Sequence, residues 1–401
     1  MKGLYSIMEE PQIGVVPEKM KAYVIRPERH GIPTVSFKEE MIEVPEVKEN
    51  EVLIKVKAAG VNHNGLWSAL GEPFSPTKYH GKDFHIAGSD ASGIIWKIGK
   101  SLKNNKNFSF KEGDHVIVHC SQPCNVCPEC NGGDPMKCSN QKIWGYETPY
   151  GAFAEYTVVQ PHQILKKPEH LTWEESGSYL LTYSTVWRML FGHYPNTVQP
   201  GSNVLIWGAS GGLGEFAIKL AKLVGANPLA IVSSKEKGEY CKSIGAIGYI
   251  DRTEFSCWGE LPKIGSTEHA EYYKEVKRFG KKIWGFFGEK VSPDIIVEHI
   301  GEKTFPASCF VLKTGGMVVF CGASSGFNLS FDASHVWMRT KRIQGSHFCN
   351  TYEIHKANNL IIEDKIKLET SNVYSWEELP QAHMDMLENK NPLGNIVVRV
   401  S

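Results

Sequence analysis

The 401-residue chain predicts an α/β protein of two units. One is a β-rich domain assembled from both ends of the chain. The other is a doubly wound parallel sheet inserted between them. Three observations carry this reading. Short strand patterns parted by Gly, Pro and Asn turns crowd the chain ahead of Leu171. From Leu171 the order becomes helix, strand, glycine-rich turn, helix, strand, helix. The tail GNIVVRV (394–400) then returns to strand pattern.

The first 35 residues read as an arm and a first strand, MKAYVIRP. EVLIKVKAAGV (51–61) alternates apolar and polar residues, the period of a half-buried strand. SGIIWKIG, DHVIVHC and AFAEYTVV supply further short strands, and their close spacing suggests a barrel-like unit. LTWEESGSYLLTYSTVWRML (171–190) predicts a helix with Thr172 as N-cap and Glu175 three residues on. NVLIWGASGGLG then runs as an apolar strand into a glycine turn, followed by the helix EFAIKLAKLVGA, which stops at Gly225. PLAIVSS is the next strand and KEKGEYCKSIGA the next helix; DIIVEHI and GGMVVFCG are later strands. From about Gly345 the patterning is irregular and β-like. The expected division is residues 1–190 with 345–401 for the β-rich domain, and 191–344 for the parallel-sheet domain.

Composition excludes some functions. Lys plus Arg and Asp plus Glu each number 44, so the chain has no general attraction for nucleic acid or anionic lipid. Any anionic ligand needs a local basic pocket. The first residues, MKGLYSIMEEPQIG, lack the apolar core of a signal peptide, and no apolar run reaches the roughly 20 residues of a membrane span. The expectation is a cytoplasmic protein that binds neither membrane nor nucleic acid.

The turn Gly208-Ala209-Ser210-Gly211-Gly212-Leu213-Gly214 sits between a strand and a helix, the context of a dinucleotide site. Glycines let the backbone approach a pyrophosphate, and the helix N-terminus faces that charge. The next strand ends Val232-Ser233-Ser234-Lys235-Glu236-Lys237. No acid is placed to grip a ribose 2′-hydroxyl. Ser233, Ser234, Lys235 and Lys237 instead suit a 2′-phosphate, so NADPH is favoured over NADH. A solvated helix start is the competing reading of the lysines.

Five of the ten cysteines lie between Cys120 and Cys138. Cys124, Cys127, Cys130 and Cys138 follow C-x2-C-x2-C-x7-C, the spacing of a closed, structural zinc site. Cys120 falls outside it. Cys241, Cys257, Cys309, Cys321 and Cys349 read as small core residues.

Long strings then carry a resemblance. AGVNHNGLWSALGEP, HIAGSDASGI, ECNGGDPM, IWGYETPYGAFAEY, WGASGGLGEFA, EHIGEKTFPASCFVLKTGGMVVFCG and WMRTKRIQGSHF closely resemble the crotonyl-CoA carboxylase/reductase family of the medium-chain dehydrogenase/reductases. The resemblance implies a GroES-like catalytic domain joined to a Rossmann domain, and an acyl-CoA substrate. Zinc alcohol dehydrogenases of that superfamily carry catalytic ligands where this chain has Asn62, Gly88-Ser89-Asp90 and Thr182. Without them no Lewis acid polarises an alcohol oxygen. The implied reaction is hydride transfer from NADPH to the β-carbon of a 2-enoyl thioester. The resulting enolate is quenched by a proton or by CO2.

The resemblance further implies a CO2 pocket at Asn64, the aromatic Tyr146, Glu147 and His347. Members of the family often carry phenylalanine at the position of Tyr146, and its phenol introduces a candidate proton donor. Glu147 is expected to order a water or orient His347. On pattern alone His347 is equally a core histidine, Asn64 turn chemistry and Glu147 a turn cap. His63, His85 and His119 read as structural. Arg339, Lys341 and Arg342 read either as a CoA-phosphate site or as a solvated face. A homo-oligomer of two or four chains is expected. Competing functions are plain enoyl-CoA or acryloyl-CoA reduction, quinone or alkenal reduction, and an idle NADPH-binding protein.

Overall fold

The computed structural model describes residues 11–368, 370–390 and 393–401; the first ten residues of the expected N-terminal arm lie outside these. Lys19–Val24 forms the first strand and pairs antiparallel with Lys38–Glu43. The centre of the β-rich domain is Val52–Val61, which pairs with Asn395–Arg399, Ala91–Ile98 and Tyr156–Val159. Thr370–Tyr374, His115–Val118 and Ile164–Lys166 complete the seven-stranded sheet. The C-terminal strand is therefore built into the first domain.

The half-buried reading of this central strand needs correction. Nine of its ten residues are buried, Lys55 among them. Three partner strands cover it, and the Lys55 ammonium lies over the Trp96 ring, 5.0 Å from its centroid. The sequence alternation reflects a lysine stem lying along apolar surface rather than a face turned to water.

The inserted sheet has six parallel strands: β1 (Asn203–Ile206), β2 (Asn227–Val232), β3 (Gly248–Asp251), β4 (Ile295–Glu298), β5 (Met317–Phe320) and β6 (Arg342–Gly345). Their order is β3-β2-β1-β4-β5-β6. The strand order reverses between β1 and β4, and that switch point opens the ligand crevice of such sheets. Helix α1 (Gly212–Leu223) follows the glycine turn and α2 (Lys235–Ser243) follows β2. Apolar clusters fill both faces of the sheet, and a third fills the β-rich domain.

Two further expectations are corrected. The helix read at 171–190 is two helices. Thr172 and Glu175 do form a reciprocal cap, but that helix ends at Ser176. A second helix, Leu180–Phe191, begins where the Asp90 carboxylate accepts the Leu181 amide at 3.1 Å. That acceptor lies far off in sequence, so local pattern could not reveal the break. The tail also carries more helix than its patterning suggested, at Thr351–Ile362 and Leu379–Leu387. Their apolar positions meet other elements, and their caps, such as Asn350 with Glu353, lie in polar stretches that resemble loops. No helix among the described residues is long and apolar enough to cross a membrane.

Candidate active site

The glycine turn closes the crevice beside β1. Gly208 takes φ +52°, and its α-carbon faces the His299 ring so closely that a Cβ would lie 2.7 Å from it. At Gly214 a Cβ would strike the Gly208 carbonyl at 2.6 Å, so glycine there lets α1 pack onto the exit of β1. Gly211 is the N-cap of α1. A Cβ there would meet nothing nearer than 3.6 Å. These features fit a pyrophosphate at the helix start.

The rest of the turn faces the other domain. A Cβ on Gly212 would fall 2.0 Å from Asn395 Oδ1, and the Ser210 carbonyl accepts the Gly394 amide at 2.8 Å. The same Asn395 oxygen accepts the Thr182 hydroxyl at 2.9 Å. Leu213 packs into the core beneath. Thus Ser210, Gly212 and Leu213 join the turn to its surroundings, while Gly208, Gly211 and Gly214 shape the cradle. Beyond β2, Ser234 caps α2 by accepting the Lys237 amide at 3.3 Å. Ser233 and Lys237 are half-buried beside it, and Lys235 is exposed.

His299 was missed by the sequence reading. It follows β4 at the switch point, and its Nε2–H donates to the Trp207 carbonyl at 2.9 Å. Burial holds its imidazole below the ordinary value, so it remains neutral near pH 7. His63 reaches toward it from the other domain and is pushed down to about 4, chiefly by burial and then by His299. The usable signal was position: a polar residue directly after the fourth strand of a doubly wound sheet.

The four residues of the expected CO2 pocket come from separate elements. Asn64 lies in helix His63–Leu70, and its Nδ2 donates to Ser89 Oγ at 3.4 Å, a long bond. Tyr146 is buried, and its hydroxyl donates to the carbonyls of Glu72 at 2.8 Å and Phe74 at 3.2 Å. Burial raises its pKa. The phenol proton is therefore committed to the loop, and Tyr146 is a wall rather than the free proton donor its hydroxyl suggested. Glu147 Oε2 accepts the Ile143 amide at 2.7 Å, so it does cap its own turn. Burial raises its carboxyl pKa. No hydrogen bond joins Glu147 to His347 among the described residues, against the expectation that one orients the other.

His347 follows β6, its ring 4.4 Å from that of Phe348. Its side chain is open to solvent although protein crowds it. Burial, then the Arg188 charge, lowers its pKa, and water at the open ring moderates the effect. The structure brings Asn64, Tyr146 and Glu147 onto neighbouring segments, since a Cβ on Gly145 would lie 3.2 Å from the Ser89 amide nitrogen. His347 lies on a separate segment, two residues beyond β6.

The basic cluster does not present three free cations. Lys341 is buried and donates to the carbonyls of Cys309 at 2.7 Å and Phe310 at 3.0 Å, ending the helix Phe305–Val311. Burial pushes it down to about 8. Arg342 donates to the carbonyls of His193 and Tyr194. Only Arg339 is left exposed.

The sulfurs of Cys124, Cys127, Cys130 and Cys138 lie within 4.8 Å of one another, with Cys127–Cys130 at 3.5 Å and Cys124–Cys130 at 3.9 Å. Tetrahedral zinc–sulfur bonds of about 2.3 Å require separations of about 3.8 Å, so the donor set fits that ion. Among the described residues no other group of three His, Cys, Asp or Glu side chains converges in this way.

Comparison with known proteins agrees with this architecture. Residues 48–169 match the alcohol dehydrogenase GroES-like domain, and residues 212–364 match the zinc-binding dehydrogenase family. The chain is 49% identical over its full length to a crotonyl-CoA carboxylase/reductase of Cereibacter sphaeroides, of which it covers 92%. The solved crotonyl-CoA carboxylase/reductase AntE in complex with NADP shares 40% identity at a TM-score of 0.91, over 98% of this chain and 97% of that one. The 2-octenoyl-CoA carboxylase reductase CinF, solved with NADP and 2-octenoyl-CoA, shares 33% identity at a TM-score of 0.88, over 96% of this chain and 88% of that one. Identity of this extent, spread over both domains, places the chain in the crotonyl-CoA carboxylase/reductase family of the medium-chain dehydrogenase/reductases.

Proposed function

We propose that this protein reduces a short-chain 2-enoyl-CoA with NADPH and carboxylates the resulting enolate with CO2. The full-length likeness to crotonyl-CoA carboxylase/reductases carries the reading. When bound, NADPH supplies the hydride that reaches the β-carbon. The double-bond electrons move to the thioester oxygen, and the enolate α-carbon then bonds to the carbon of CO2, giving a carboxylate. If CO2 is absent, the α-carbon takes a proton, and water is the source because the Tyr146 phenol is held by two carbonyls.

The residues divide the work. Gly208, Gly211 and Gly214 shape the pyrophosphate cradle, and Ser233, Ser234, Lys235 and Lys237 surround the 2′-phosphate. Asn64 and neutral His347 donate hydrogen bonds to the CO2 oxygens. The long Asn64–Ser89 bond is readily exchanged for such a ligand. Glu147 retains Oε1 for a water, and Tyr146 closes the pocket. The cysteine lobe holds one structural zinc. We extend the proposal to a division at 190/191 and 344/345, the first of which cuts the last residue from the helix Leu180–Phe191 and the second the last residue from β6. We also extend it to a cytoplasmic homo-oligomer of two or four chains.

Product mass analysis tests the reading. Crotonyl-CoA, NADPH and saturating bicarbonate are expected to yield ethylmalonyl-CoA, and His347→Asn to lower the carboxylated fraction more than NADPH turnover. Butyryl-CoA as sole product removes the carboxylase half. No NADPH oxidation with any enoyl-CoA removes the whole.

A further inference from the structure

The cysteine lobe and the segment after His347 are far apart in sequence, and one buried cation joins them. Arg188 lies in helix Leu180–Phe191 with its side chain only 9% exposed. Its Nη2 donates to Asp134 Oδ2, and its Nη1 donates to Glu353 Oε2 at 2.8 Å. Asp134 sits between Cys130 and Cys138 and accepts the Met136 amide at 3.2 Å. Glu353 Oε2 accepts the Asn350 amide at 2.9 Å, and Asn350 Oδ1 accepts the Glu353 amide at 2.9 Å. Asn350 Nδ2 also reaches Asp134 Oδ1 at 3.5 Å. Lobe, helix and the start of Thr351–Ile362 are thus one polar network, beginning three residues after His347.

A second clamp holds the other side. His193 Nε2 and Ser346 Oγ are 3.0 Å apart, and Arg342 donates to the carbonyls of His193 and Tyr194. Between the clamps, Phe348 takes φ +40°, the left-handed region that a phenylalanine rarely occupies. A residue strained in this way persists only while its surroundings hold it. Both clamps bear on the backbone beside the His347 ring.

We propose that Arg188 is a positioning residue that transmits the metal-loaded state of the cysteine lobe to the His347 segment, and so sets how the enolate divides between CO2 and a proton. The inference rests on the carboxylase reading of His347. The planar fork of arginine is needed, since a lysine ammonium is one point charge and cannot hold both carboxylates in that geometry. Hydride delivery uses the glycine turn and depends less on this network.

The test compares wild type with Arg188→Lys and the milder Asp134→Asn. The carboxylated fraction at saturating bicarbonate is expected to fall about threefold or more, with a smaller loss in NADPH oxidation. Hydrogen exchange supplies a readout independent of turnover. In wild type, removing zinc is expected to speed exchange across 346–354 while amides of β1 and β4 stay protected. In both variants that segment is expected to exchange fast already. Wild-type partition in both variants overturns the proposal, as does a segment indifferent to zinc or a lobe that takes up no zinc. If wild type itself makes no carboxylated product, the His347 reading falls and the partition claim with it. Exchange then decides the coupling alone.

Discussion

Asp90 and Glu298 are both fully buried carboxylates, one in each domain, yet they are held in different ways. Glu298 ends β4 and accepts from the amides of Ile300 at 2.8 Å and Gly301 at 3.2 Å, and from the hydroxyls of Thr304 at 3.0 Å and Ser308 at 2.8 Å. Ser308 in turn accepts Trp207 Nε1 at 2.8 Å. One carboxylate therefore ties the exit of β4 to the exit of β1, the two edges of the cofactor crevice. Asp90 instead faces the start of helix Leu180–Phe191. Its Oδ2 accepts the Leu181 amide, and its Oδ1 has no partner among the described residues. Burial raises both carboxyl pKa values, Asp90 well above the usual range. A buried acid ringed by donors locks a loop. One that meets only a helix end borrows the helix dipole and remains costly when ionised.

The largest effect expected from breaking this contrast is Glu298→Ala. It strands two amides and two hydroxyls, each costing about 1–3 kcal/mol when buried without an acceptor. Urea unfolding is expected to register a loss of about 3 kcal/mol or more, with weakened NADPH binding. A loss below about 1 kcal/mol would show that the network does not lock the loop.

Acid is expected to act next, and mainly through the other domain. His85, His119 and His383 are fully buried, and burial pushes their imidazoles to about 3, about 3 and about 4. A lowered folded pKa means that the neutral ring is preferred in the native state. The stability from that preference is full above about 6.5 and is lost as pH falls toward the folded values, by about 1.4 kcal/mol per pH unit for each ring. Tryptophan fluorescence should report unfolding that steepens below pH 6.5. Stability that is flat between pH 7 and 5 would contradict this assignment.

Asp90→Asn should have the smallest effect and the opposite sign. The amide oxygen still accepts from Leu181. For a raised folded pKa, the associated stability is full below about 3.9 and lost as pH rises through the folded value. The neutral side chain escapes that loss. At pH 7 the variant is expected on the stable side of wild type, with the gain shrinking toward pH 4. A destabilised variant would mean that Oδ1 holds something the contrast omits.

Sequence alone reached the doubly wound sheet, the glycine turn, the Thr172–Glu175 cap and the four-cysteine lobe, because neighbours in the chain build each of them. A strand, a turn and a helix start are local, and four sulfurs spaced over 15 residues have little freedom to miss one another. The Asn64, Tyr146, Glu147 and His347 set was legible only through family likeness, since no local spacing links a helix start, a loop and the exit of β6.

The tertiary structure decided what each polar group does with its hydrogen bonds. It turned Tyr146 from a proton donor into a wall, used Lys341 to close a helix, split the helix at Asp90 and placed His299 against Gly208. It also revealed Arg188, an arginine in an apolar helix whose partners lie 54 and 165 residues away. The physical reason is common to all of these. Periodicity and capping are short-range and written along the chain, whereas a buried polar group must find its partner wherever folding brings one, and that distance leaves no mark in local sequence.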